Sequence, residues 1–116
     1  MKIIKDEEQI LAILRKGSFM KRISDDDIKY HAGYIEYQRK AKRLNGISYW
    51  LYKLSELASK PNVVIFRHNG RFYVIFEVLL DPCPLRACEF SNLKQALDFA
   101  IDVYIKLRFP DAIYYC

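Results

Sequence analysis

The sequence has no apolar run approaching the roughly 20 residues that a membrane-spanning helix requires, so no transmembrane segment is expected. It is also poor in residues that punctuate or staple a small domain, with four glycines, four prolines and three cysteines in 116 residues. The glycines stand apart at 17, 33, 46 and 70, which leaves no Gly-rich loop to cradle a phosphate. No Gly-x-Ser-x-Gly segment supplies a strained nucleophile turn. The histidines are two, His31 and His68, and the closest cysteines are Cys83 and Cys88, so no paired ligand motif of zinc type exists. Neither a metal nor another cofactor is expected. The start, Met1-Lys2-Ile3-Ile4-Lys5-Asp6-Glu7-Glu8, turns acidic too early for a secretory signal, which points to free thiols in a reducing cytoplasm. Were Cys83 and Cys88 to pair on oxidation, Cys116 would be left over.

What is present is an ordinary apolar supply with an excess of tyrosine. Hydrophobic residues make up 52 % and charged residues 28 %, enough for a chain of this length to bury a core as one domain, residues 1–116, without staples. Nine tyrosines stand beside seven phenylalanines and one tryptophan, and tyrosine serves equally in a core or on a recognition surface. The net charge of +5 favours an acidic partner, a protein or a nucleic acid, through long-range attraction. It sets no oligomeric state, a homodimer included.

Local patterning predicts an α+β fold. Asp6-Glu7-Glu8 before Ile10, Leu11, Ile13 and Leu14 reads as a short helix with its acids at the positive end of the dipole. Arg15 and Lys16 lie near the negative end, and Gly17 is expected to stop the helix in the left-handed conformation. Ser24-Asp25-Asp26-Asp27 starts a second helix that the pattern carries to about Leu44. Ile47, Trp50, Leu51, Leu54, Leu57 and Ala58 recur at helical spacing and give a third helix over 46–60, with a strand over 47–54 as the competing reading. Asn69-Gly70 joins two β-rich runs into a hairpin over residues 62–79, and a short strand is expected near 85–90. The alternation places Val63, Ile65, Phe72, Val74, Phe76 and Val78 on one face, with Val64, Phe66, Tyr73 and Ile75 on the other. Ser91-Asn92 caps a last helix from Leu93 to about Arg108. A small antiparallel sheet packed with about four helices follows.

Candidate contact residues come from the second and third helices. On a single rod from 24 to 44, Tyr30, Tyr34 and Tyr37 line one side with Ala41 and Leu44, while Ile28, Ala32 and Ile35 line nearly the opposite side. Two apolar stripes mean either burial on both sides or an exposed contact face. Tyr49 and Tyr52 fall outside the core stripe of the third helix. These five tyrosines are the residues expected to bind another protein, since tyrosine buries much area for little lost entropy. Such a non-enzymatic module would be an inhibitor of the kind phages or mobile elements encode. The alternative is nucleic-acid binding by Arg39, Lys40, Lys42 and Arg43 at the basic helix end, joined by Arg67, His68 and Arg71 at the hairpin tip. The competing reading of that basic run is a solvated helix end whose cations favour the negative dipole terminus.

A third alternative rests on layout. A helix hairpin followed by Arg67, Arg71 and Tyr73 on strands superficially resembles the RelE/ParE toxins over the middle third of the chain, which implies a small ribonuclease. The C-terminal helix and the missing basic strand after Val78 depart from that layout.

Overall fold

A computed structural model describes residues 2–41, 43, 46, 60–78 and 84–108. The chain forms two compact units, one of Met1–Ile23 with Asn62–Ala100, the other of Ser24–Pro61 with Ile101–Cys116.

The first unit is built on a five-stranded antiparallel sheet. Its strands are β1 (Lys2–Ile4), β2 (Ser18–Arg22), β3 (Val63–His68), β4 (Arg71–Glu77) and β5 (Leu85–Phe90), in the order β1-β5-β4-β3-β2. The hairpin of β3 and β4 forms as the Asn-Gly dipeptide requires, with positive φ at both Asn69 (52°) and Gly70 (75°). The register pairs Val63 with Phe76, Ile65 with Val74, Val64 with Ile75 and Phe66 with Tyr73. The expected division of the hairpin's side chains between two faces therefore holds.

Both faces are covered. Helix α1 (Glu7–Lys16) lies on the face of Tyr73, Ile75 and Ala87, where Ile10 and Ile13 are buried with Ile4, and Leu14, Val64, Phe66 and Leu85 pack around them. Asp6 caps it, its Oδ1 accepting the Glu8 N–H at 3.0 Å. On the other face Val63, Ile65 and Val74 are fully buried. Phe99, in the first half of α4 (Leu93–Arg108), places its ring 6.3 Å from Phe76 and 5.2 Å from Phe90. Ala96 and Ala100 beside it are fully buried, so small residues let the helix come close to the strands.

Gly17 ends α1 for a different reason from the one expected. Its backbone is extended (φ −79°, ψ 169°), not left-handed. A Cβ there would lie 2.5 Å from the Ile13 carbonyl oxygen and 2.9 Å from the Arg67 carbonyl oxygen. Close approach of the helix end to β3 is what calls for glycine here.

The two edge strands were not anticipated. Lys2-Ile3-Ile4 pairs with β5, setting Lys2 opposite Glu89, and Ser18–Arg22 pairs with β3 through a bulge between Phe19 and Lys21.

The second unit corrects the single rod over 24–44. Helix α2 (Asp25–Ile28) is followed by a turn at Lys29-Tyr30, and α3 (Ala32–Ala41) begins afresh. The His31 N–H bonds back to the Ile28 carbonyl at 3.0 Å. The His31 carbonyl then accepts the N–H groups of Tyr34 (3.1 Å) and Ile35 (3.0 Å), opening the new helix. Tyr30, His31, Gly33 and Tyr34 all have weak helix propensity, so nothing local resists the break. The turn places Tyr30 outside the helix that carries Tyr34. Of the third helix expected over 46–60, residues 47–59 lie outside the described residues, as do residues 109–116.

Candidate functional site

Three places in the structure collect side chains that could do chemistry or bind a partner. The first is a partly buried polar knot in the second unit. Tyr104 is fully buried, and its hydroxyl donates to Asp25 Oδ1 at 2.6 Å. Lys60 Nζ lies 3.2 Å from Asp25 Oδ2, and Arg108, only 8 % exposed, brings Nε within 3.7 Å of Oδ1. Burial pushes the Asp25 carboxyl up, but the Tyr104 hydrogen bond, the Lys60 hydrogen bond and charge, and the Arg108 charge outweigh it and hold the group below the usual range. Burial, followed by the hydrogen bond and charge of Asp25, pushes the Tyr104 phenol above its ordinary value. Asp25 therefore does more than place a negative charge in the first turn of α2, which Ser24 caps. It ties the helix start to residues distant in sequence, as a structural clamp.

The second place is the tip end of the sheet face that carries α1. The register sets Lys2, Glu89 and Tyr73 in one row across β1, β5 and β4, with Arg71 and His68 paired in the next. Tyr73 donates to Glu89 Oε1 at 2.9 Å, and Arg71 Nε lies 3.4 Å from the same oxygen. Burial and then the Glu89 carboxylate push the Tyr73 phenol up, with Arg71 opposing them. Lys2, Arg71, Glu89, Ser91 and Gln95 line a cleft of about 570 Å³ beside this row. Its carboxylate neutralises the arginine, which weakens the cleft as an anion site.

The third place is the β2 edge. Phe19 is 58 % exposed and Met20 40 %. The Phe19 ring stands edge-on to Phe66 with centroids 5.7 Å apart. Next to it Leu14, Val64, Phe66, Ile75 and Leu85 line an apolar groove of about 300 Å³, rimmed by Arg22 and Glu77. All five residues of β2 are exposed, so nothing among the described residues covers the strand.

The expected site residues are distributed differently. Tyr30 is 90 % exposed in the turn between α2 and α3, and Tyr34 is half-buried on α3. Ile28 is buried at 1 % exposure while Ile35 is 41 % exposed, so the second stripe also divides. Tyr49, Tyr52 and Lys42 lie outside the described residues, as do the side chains of Tyr37 and Lys40. Arg39 pairs with Glu36 at 3.6 Å, and Arg43 is exposed. The tip cations do not form one patch. Strand alternation sends Arg67 to the face opposite His68 and Arg71, where its guanidinium sits 5.9 Å from the Phe72 ring centroid.

Phe19 and Met20 were not singled out as candidate contact residues. Their signal is faint in sequence, a pair of large apolar residues in the cationic run Lys16-Gly17-Ser18-Phe19-Met20-Lys21-Arg22. No family model matches this chain, and no curated protein or solved structure is similar to it.

Proposed function

We propose that the protein is a protein-binding module and that its contact surface is the β2 edge with the adjoining groove, rather than a tyrosine stripe. The observation that carries this reading is Phe19, a large apolar side chain 58 % exposed on an edge strand beside an apolar groove. Full burial of a Phe or Met side chain stabilises by roughly 1.5–3 kcal/mol. A partner that covers the exposed parts of Phe19 and Met20 would therefore gain a substantial contact at the place where aromatic and methionine anchors favour recognition. The nucleic-acid reading has less support. Arg71 and Arg39 are already paired with carboxylates, and Arg67 faces away from His68 and Arg71.

Site-specific photo-cross-linking in the native cell tests the proposal. A photoreactive phenylalanine analogue at position 19 should capture a protein. The same analogue at Asp98, exposed on α4, should not. Equal capture at both positions, or nucleic acid as the adduct at position 19, would refute it.

A further inference from the structure

We infer that β2 binds its partner by strand addition, taking an extended acidic segment of another protein as the sixth strand of the sheet. This rests on the protein-binding reading of the same surface and specifies the chemistry of what it takes.

The backbone argument comes first. β2 ends the strand order, and each of its five residues is exposed. The Ile23 N–H donates to the Val63 carbonyl at 2.9 Å, which directs the peptide groups of Ile23 toward β3. By alternation the N–H and C=O of Arg22 point outward, where a guest strand would meet them. Five residues of strand span about 17 Å, a length comparable to the extended peptides captured on other sheet edges.

Charge then selects the guest. From Gln9 to Ile23 the chain carries Arg15, Lys16, Lys21 and Arg22 and no carboxylate. By register Lys21 pairs opposite Ile65 and Arg22 opposite Val64, so the two cations flank the edge on opposite faces of the sheet. A guest with alternating acidic and apolar residues fits this edge, its carboxylates on the face of Lys21 and its apolar side chains on the other face, in the groove of Leu14, Phe19, Val64, Phe66 and Leu85 beside Arg22. A second copy of the chain fits poorly, because antiparallel pairing of two β2 edges centred on Lys21 and Arg22 would set cation against cation. A lysine and a bulge also guard edges against aggregation. Protection alone, however, gives no reason to present Phe19 and Met20 beside a groove.

The test uses the full chain and a fluorescein-labelled acetylated peptide that alternates glutamate with valine and phenylalanine, followed by fluorescence anisotropy. Three comparators accompany it: the peptide with lysine for glutamate, and two isomers N-methylated on alternate residues, one on each strand edge. The acidic peptide should bind, and the lysine peptide should bind at least roughly tenfold more weakly, since like charges now face the edge. One N-methylated isomer should lose binding while the other keeps it, because strand addition uses only one edge of the guest. The exposed double variant K21E/R22E, checked for native circular dichroism, should reverse the preference between acidic and lysine peptides. Absence of binding by the acidic peptide, equal affinity for the lysine peptide, or equal binding of both methylated isomers overturns the inference. A protein cross-link at position 19 together with any of these results leaves the protein-binding reading standing and removes strand addition alone. Concentration-dependent self-association lost in K21E/R22E would also overturn it, in favour of a second copy.

Discussion

Replacing Tyr104 with phenylalanine tests the clamp around Asp25 and can be worked out from the structure. The change removes one hydroxyl from a fully buried ring and leaves its packing intact. The lost hydrogen bond, 2.6 Å long, is made to an ionised carboxylate. Bonds to charged groups contribute roughly 1.5–3 kcal/mol. The Asp25 side chain keeps 41 % of its surface exposed and retains Lys60 at 3.2 Å, so solvent screening and the remaining partner put the cost at the lower end, about 1.5 kcal/mol. That is about a tenfold change in the folding equilibrium and a fall of about 6 °C in Tm for a chain of this size. Urea denaturation followed by circular dichroism at neutral pH reads it directly.

The pH dependence supplies a stricter check. The folded-state pKa of Asp25 is depressed, so its contribution is present above the unfolded value near 3.9 and is lost as pH falls through the lower folded value. The difference between wild type and Y104F should therefore hold from neutral pH down to about 4 and shrink below that. Tyr104 itself has a raised folded pKa. Its contribution is full below the unfolded value near 10 and is lost as pH climbs from there toward the folded value, so Y104F should also lose part of the alkaline decline in stability. A cost under about 0.5 kcal/mol, small against the range for a charged hydrogen bond, or one that stays constant from pH 7 into the acid limb, would refute the clamp.

Two further predictions concern the first unit. Gly17→Ala should destabilise by roughly 1–3 kcal/mol in urea denaturation, because the new methyl meets the Ile13 and Arg67 carbonyl oxygens and the helix end or β3 must shift; a neutral effect would show that the junction is loose. Cys88 is buried at 2 % exposure, and burial raises its thiol pKa, so alkylation by iodoacetamide at pH 8, mapped by mass spectrometry, should occur only on unfolding. Labelling of Cys88 in the native protein would contradict its placement beside Val74.

What could be read from the sequence was decided by neighbours in the chain. The β3–β4 hairpin follows from the positive φ that Asn69-Gly70 accepts, together with flanking residues apolar enough to be buried on both faces. The α4 helix follows from the Asn92 cap, whose Oδ1 accepts the Gln95 N–H at 2.8 Å, and from the periodic Ala96, Ala100, Val103 and Tyr104. Short edge strands escaped because they carry no such mark. Lys2-Ile3-Ile4 is too brief for a period, and Ser18–Arg22 buries none of its residues, so only pairing with distant β5 and β3 makes them strands. The second helix was misread because hydrophobic spacing continued across Lys29–His31 while the backbone hydrogen bonds did not. Sequence alone thus determined the central hairpin, the strand after it and the helix that follows. Tertiary structure alone decided which edge stays open, where Gly17 must be small, that Asp25 meets Tyr104, and that Phe19 stands at the surface, because each depends on residues brought together from far along the chain.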